Sequence, residues 1–231
     1  MHLWRLSRFI QRQLGAFLTE RPKERFFFLT FDDGPSTSTA FLLSLLGEYN
    51  LQATFFWLWS RYHERLVASL LPLLWEGKHQ VGLHGLTHLS LWRRKWSSEE
   101  LKRAAFLWER AGVPFISAFR PPYGHVRGLS SFGFLKLVLW DLMPPDFLGI
   151  AGWEEELLRR LRAGDVVVLH EREANRRSWQ RLFALLTEEG WKAKCLPLPL
   201  SISQTVVSNQ EKKLLYDKPY SFAQRKSSYF V

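Results

Sequence analysis

Cysteine is almost missing from this chain of 231 residues. Cys195 stands alone, so no internal disulfide can form and stability must come from buried apolar surface. No apolar run approaches the roughly 20 residues needed to cross a bilayer, which excludes a helical membrane span from the sequence pattern. A continuous apolar stretch is missing from the N-terminus too: Arg5, Arg8 and Arg12 interrupt it, and no small-residue cleavage site follows, so the segment reads as uncleaved. Acidic residues are outnumbered 22 to 32, and the net charge of +10 favours anionic surfaces in general, whether nucleic acid, acidic lipid or an anionic cell-wall polymer. Hydrophobic residues, in contrast, make up 46% of the chain, so it is globular, and its length suits one sizeable core.

The N-terminal residues carry a pattern of their own. Leu3, Leu6, Ile10, Leu14 and Phe17 recur at helical spacing with arginines on other faces, so residues 1–24 read as a basic amphipathic helix. Such a helix lies on a membrane surface or packs against the domain, and packing is the expectation. From residue 26 to about 196, short apolar runs alternate with helical patterns. Strands are expected near 26–31, 53–58, 79–83, 115–119, 136–140, 165–169 and 191–196, with helices over 37–49, 63–76, 98–111, 153–163 and 176–189. Ser97 and Glu100 have the spacing of a capping box. This alternation predicts a parallel α/β architecture, an open doubly wound sheet or a barrel, within residues 25–200. Residues 201–231 lose the pattern and read as a polar tail.

Five of the apolar runs end on residues able to bind a metal or move a proton. They lead into Asp32-Asp33-Gly34-Pro35, His84-Gly85-Leu86-Thr87-His88, Arg120-Pro121-Pro122-Tyr123, Trp140-Asp141 with Asp146 beyond, and His170. In parallel α/β folds active-site groups gather at the carboxyl ends of strands. Two histidines separated by three residues can share one metal ion, and a carboxylate from another strand would leave a coordination position open for water. Gly82 and Gly85 argue against a long helix there, so the pair is expected on a turn after the strand. On extended backbone Asp32 and Asp33 would point in opposite directions, letting one coordinate and the other reach the water.

These motifs, in this order and approximate spacing, resemble the NodB-like domain of the polysaccharide deacetylases, carbohydrate esterase family four. The resemblance covers about residues 25–196. It implies a distorted seven-stranded (β/α) barrel that removes acetyl groups from a sugar polymer with a divalent metal, usually zinc, with Co2+, Mn2+ or Ni2+ as alternatives. By motif position, Asp33, His84 and His88 would be metal ligands, and Asp32 the general base towards a water whose pKa the metal lowers to about 7. Arg120 would face Asp32, the amide of Tyr123 would help hold the oxyanion, and His170, oriented by Asp146, would protonate the leaving group. Leu169 would line the acetyl pocket, with Tyr123 and Trp140 also touching substrate. The chain departs from the family pattern at Gly85, where Ser or Thr is common, at Leu142-Met143-Pro144-Pro145, at Phe147 in place of Trp, and at Glu171 in place of Asp.

The remaining histidines have duller expectations: His2, His63 and His79 at the surface, His125 in a loop beside the proposed site. Trp57, Trp59, Trp75 and Trp108 are expected in packing roles. Leu91-Trp92-Arg93-Arg94-Lys95-Trp96 mixes aromatics with cations, and an exposed connection before a helix explains it as well as a ligand contact does. The expected partners are an acetylated glycan, of peptidoglycan or chitin type, and an anionic membrane surface through the N-terminal helix; no nucleic acid is expected. With no cleavable export signal visible, the expected location is the cytoplasm or a membrane periphery. Two other functions stay open: a metal-dependent hydrolase of another C–N bond, and a non-catalytic carbohydrate- or membrane-binding protein on the same scaffold.

Overall fold

In a computed structural model of the chain, residues 5–90, 96–126 and 135–201 are described. His2, Leu3, the basic-aromatic run 91–95 and the tail after residue 201 lie outside them. Among the described residues seven strands form one sheet: β1 (Phe26–Gly34), β2 (Thr54–Leu58), β3 (Gln80–Gly85), β4 (Phe115–Phe119), β5 (Lys136–Leu137), β6 (Val166–His170) and β7 (Lys192–Lys194). Their order is β5-β4-β3-β2-β1-β6, with β7 beside the start of β1, and the strand pairs are parallel. Beyond β5 the chain reaches β6 through a parallel bridge between Leu142 and Val167, which closes the sheet into a distorted barrel.

Helices cover the outside: α2 (Thr39–Glu48), α3 (Glu64–Glu76), α4 (Ser98–Arg110), α5 (Trp153–Arg160) and α6 (Arg176–Glu188) follow the short N-terminal α1 (Arg8–Gln13). The capping box at α4 forms in both directions, Ser97 accepting from the Glu100 amide and Glu100 from the Ser97 amide. Strand alternation sorts the apolar residues into two sets. Phe27, Leu29, Phe31, Phe55, Trp57, Val167 and Leu169 join the helix-facing core, while Phe28, Phe56, Ile116, Ala118, Val138 and Val166 fill the barrel interior. The upper interior is polar, because the same faces continue into Thr30, Asp32, His84, Arg120 and His170.

Several expectations change here. Among the described residues of the N-terminal segment, the helical spacing is realised only over the 6 residues of α1. A bridge from Arg5 to Leu142 and a hydrogen bond from the Leu6 amide to the Asp141 carbonyl hold Arg5 and Leu6 against the barrel instead. His79 is buried, not at the surface; its Nδ1 accepts from the Ala53 amide, and burial lowers its pKa to about 4. Trp75 is half exposed on α3 and donates to the Gly112 carbonyl. Trp57 and Trp108 are fully buried.

Candidate active site

Two irregularities in strand pairing build the site. Asp32 pairs with Phe56 and Gly34 with Trp57, so Asp33 is an extra residue in β1, and its φ of 74° lies in the left-handed region. A bulge of this kind bends the strand and re-aims a side chain. The expectation that Asp32 and Asp33 diverge on extended backbone therefore fails: the bulge turns Asp33 towards the histidines while Asp32 stays on the interior face. A second irregularity falls at His84, since Trp57 pairs with Leu83 and Leu58 with Gly85. His84 is thus a strand residue rather than part of the following turn. Gly85 has φ of 120°, and a Cβ there would lie 2.3 Å from the Trp96 ring. Both facts require glycine, which accounts for the departure from Ser or Thr.

Asp33 Oδ1 lies 3.4 Å from His84 Nε2 and 3.2 Å from His88 Nε2, and one ligand atom from each of the three lies within 4.8 Å of the others. His84 Nδ1 is 2.8 Å from the Arg120 carbonyl oxygen. A carbonyl only accepts, so Nδ1 carries a proton and Nε2 is the atom left facing the carboxylate oxygen. With Nε2 unprotonated, as a metal ligand must be, the two lone pairs repel unless a cation lies between them. Consistently, Asp33 Oδ1 is buried with no hydrogen-bond partner. Burial alone would raise the Asp33 pKa; positive charge on the histidine side, from a protonated His84 and then His88 when no cation lies there, outweighs it and holds the carboxyl well below the usual range. Burial also lowers the pKa of His88. Two imidazole nitrogens and one carboxylate oxygen, with one histidine already oriented by a second partner, fit a divalent metal of the zinc type.

Beside this group stand two dyads. Arg120 is fully buried and donates to Asp32 Oδ1 at 2.8 Å, to Thr30 at 2.7 Å and to the carbonyls of Val138 and Leu139. Its guanidinium also lies 4.2 Å from the centre of the Phe56 ring. His170 is the register partner of Asp32 on the adjacent strand. Its Nδ1 donates to Asp146 Oδ1 at 2.8 Å, while Asp146 Oδ2 accepts from the His170 amide at 2.7 Å and from Asn175 at 3.3 Å. Burial opposes charging this imidazole, but Asp146 outweighs burial and the pKa rises.

Tyr123, at φ of 60° and 59% exposed, sets its ring 4.5 Å from that of His88. The Trp140 ring lies against Gly124, next to Tyr123. His125 contacts Ser90 and lies beside the Tyr123 ring. Leu169 does not join the site. It is fully buried in the helix-facing core as the register partner of Phe31. Alternation along β6 gives the face shared with His170 to Val168 instead.

Sequence reasoning also missed Asn175 and the weight of Glu171. Glu171 accepts from Trp57 Nε1 at 2.7 Å and shares a hydrogen bond with Thr39. Its carboxyl occupies the space beside Gly34, where a Cβ would lie 1.8 Å from Oε1. It therefore braces the turn that carries Asp33, and burial raises its pKa to about 8.

Fold and site together define a parallel α/β barrel with an Asp-His-His group at the carboxyl ends of its strands. The family model for polysaccharide deacetylases matches residues 19–130. A peptidoglycan-N-acetylglucosamine deacetylase of Bacillus cereus is 30% identical over 161 residues, 64% of this chain and 73% of that protein. A bifunctional xylanase/xylan deacetylase of Cellvibrio japonicus is 31% identical over 62% of this chain, which spans only 22% of that larger protein. Among solved structures, a family 4 carbohydrate esterase from Streptomyces lividans, in complex with acetate, superposes with a TM-score of 0.62 at 26% identity, covering 74% of this chain and 92% of the other. The chain belongs to the polysaccharide deacetylase family.

Proposed function

We propose that this protein is a metal-dependent hydrolase that removes acetyl groups from an N-acetylated glycan of the peptidoglycan or chitin type. The single observation that carries the reading is the buried, unpartnered Oδ1 of Asp33 facing two histidine nitrogens between an Asp32–Arg120 pair and an Asp146–His170 pair. Asp33, His84 and His88 would hold the ion, which when bound supplies Lewis acidity to water and to a carbonyl oxygen.

The chain's own residues divide the remaining work. Asp32, held in place by the Arg120 guanidinium, takes a proton from the attacking water. The raised pKa of His170 favours its charged form, whose Nδ1 proton is committed to Asp146 and whose Nε2 proton goes to the departing nitrogen. Base and acid are neighbours across β1 and β6, so they can flank one acyl carbon. The Tyr123 amide, the first backbone donor after Pro121 and Pro122, would support the developing oxyanion, an effect worth about 3–4 kcal/mol in comparable sites. The exposed Tyr123 ring and the adjacent Trp140 offer surfaces for a sugar ring. A net charge of +10 favours an anionic polymer such as cell-wall glycan.

The test is acetate release by the purified protein from acetylated glucosamine oligomers and from peptidoglycan, with metal content measured on the same sample. Release that stops with chelation and returns with zinc is expected. Inactivity on both, with turnover of a cyclic imide, would move the chemistry to another C–N bond. Glycan binding without any hydrolysis by metal-loaded protein would make the chain a binder.

A further inference from the structure

Helix α1 is amphipathic the wrong way round for a helix packed on a domain. Its inward side is polar: Arg8 donates to both oxygens of Asp141 at 2.6 and 2.8 Å and to Thr19, and buried Gln11 donates to the Trp140 carbonyl at 2.9 Å. At about 100° per residue, Phe9, Ile10 and Gln13 fall on the opposite side. Phe9 is 70% exposed and Ile10 48%. A surface helix normally turns such residues to the core.

The surroundings are cationic. Beside α1 opens a cavity of about 430 Å³ lined by Arg5, Arg8, Arg21 and Arg162 with Asp141 as its carboxylate. Asp165 pairs with Arg5 and Arg21 just beneath, so four arginines meet two carboxylates and positive charge is left over. Arg12 adds another cation on the exposed part of α1. Asp141 and Asp165 flank the start of β6, and the length of that strand, roughly 13 Å, separates this face from His170 at its far end.

We infer that Phe9, Ile10 and the surrounding arginines form a docking face for an anionic phospholipid surface, with the two apolar side chains entering the interface and the arginine-lined cavity taking a phosphate headgroup. Charge chooses this occupant. A second copy of the same face would bring arginines against arginines. The glycan reaction and this surface are independent, so either can fail without the other.

Vesicle co-sedimentation of the full chain tests it, using phosphatidylcholine alone and phosphatidylcholine mixed with phosphatidylglycerol. Binding is expected only with the anionic lipid and weaker as salt rises. The double substitution Phe9→Ser/Ile10→Ser should weaken it at least about tenfold with the melting temperature unchanged. Arg12→Glu/Arg162→Glu, which leaves Phe9 and Ile10 in place, should weaken it comparably and serves as the second probe if the first variant fails to fold. Equal binding to both vesicles, none to either, or full retention of binding by a folded variant overturns the proposal. So does sedimentation velocity showing that Phe9→Ser/Ile10→Ser converts a dimer to a monomer.

Discussion

Strand β6 has buried carboxylates at each end, and the two groups live in opposite surroundings. At its start, both oxygens of Asp141 and of Asp165 accept hydrogen bonds: from Arg8 and the Val166 amide for Asp141, from Arg5, Arg21 and the Arg162 amide for Asp165. At its finish, Asp32 and Asp146 are paired, yet Asp33 Oδ1 is buried and unpartnered before two histidine nitrogens. A saturated carboxylate cluster ties chain segments together; here it fastens the N-terminal residues to the barrel across more than 130 positions. An unfinished one is costly in isolation and makes sense only if something else completes it. Both ends bury carboxylates, and the state of satisfaction is what separates structure from chemistry.

The sharpest way to break this comparison is to neutralise one carboxylate at each end. Asparagine tolerates the left-handed backbone of residue 33, so Asp33→Asn should fold normally. Loss of a partner merely behind a metal ligand costs about 10–100-fold. Loss of the ligand itself should therefore lower acetate release by more than about a hundredfold and remove metal from the purified protein. Asp141→Asn should do the reverse. It leaves Arg8 without its counter-charge and should cost about 2–3 kcal/mol of stability, a lower urea midpoint, with turnover per folded molecule unchanged. If both variants lose activity while folded, the division between the two ends is wrong.

Much of this division could be read beforehand. The seven strands and the five outer helices fall close to where the alternating runs put them, because buried parallel strands are continuous apolar stretches and need no tertiary information to be seen. The motif residues at the strand ends were visible for the same reason. The bulge at Asp33 was not, since a one-residue register shift depends on the neighbouring strand. Leu169 was a legible mistake: two-residue alternation from His170 already assigns the interior to Val168. His79 was misread because its burial depends on β2 and α3 closing over it, and the reversed polarity of α1 because carboxylates far along the chain hold its polar side.

The two ends also differ in the direction of their pH response. Glu171, at the catalytic end, has its pKa raised by burial from 4.5 to about 8. Its neutral form stabilises the fold fully below pH 4.5, and that contribution is lost as pH rises through 8. Glu171→Gln keeps an uncharged side chain beside Gly34, Trp57 and Thr39. In urea titrations with chelator present, the wild type should lose about 2–3 kcal/mol relative to this variant between pH 5 and pH 9. Parallel curves would mean that the carboxyl is already ionised at pH 5.

His79, just before β3 and away from the Asp33-His84-His88 group, should give a smaller effect of opposite sign. Its pKa is lowered from 6.5 to about 4 by burial, with the hydrogen bond from the Ala53 amide favouring the same neutral ring in this geometry because Nδ1 must accept. A depressed folded-state value means that the contribution to stability is complete above pH 6.5 and disappears as pH falls through 4. His79→Gln retains an acceptor and cannot gain charge. The wild type should therefore lose about 1–2 kcal/mol relative to the variant between pH 7.5 and pH 4.5, with no difference in slope above pH 7. Together with Glu171 this gives a stability maximum bounded on the acid side by the amino end of the barrel and on the alkaline side by the catalytic end. Slopes that move together in a single variant would show that the two ends are coupled rather than separate.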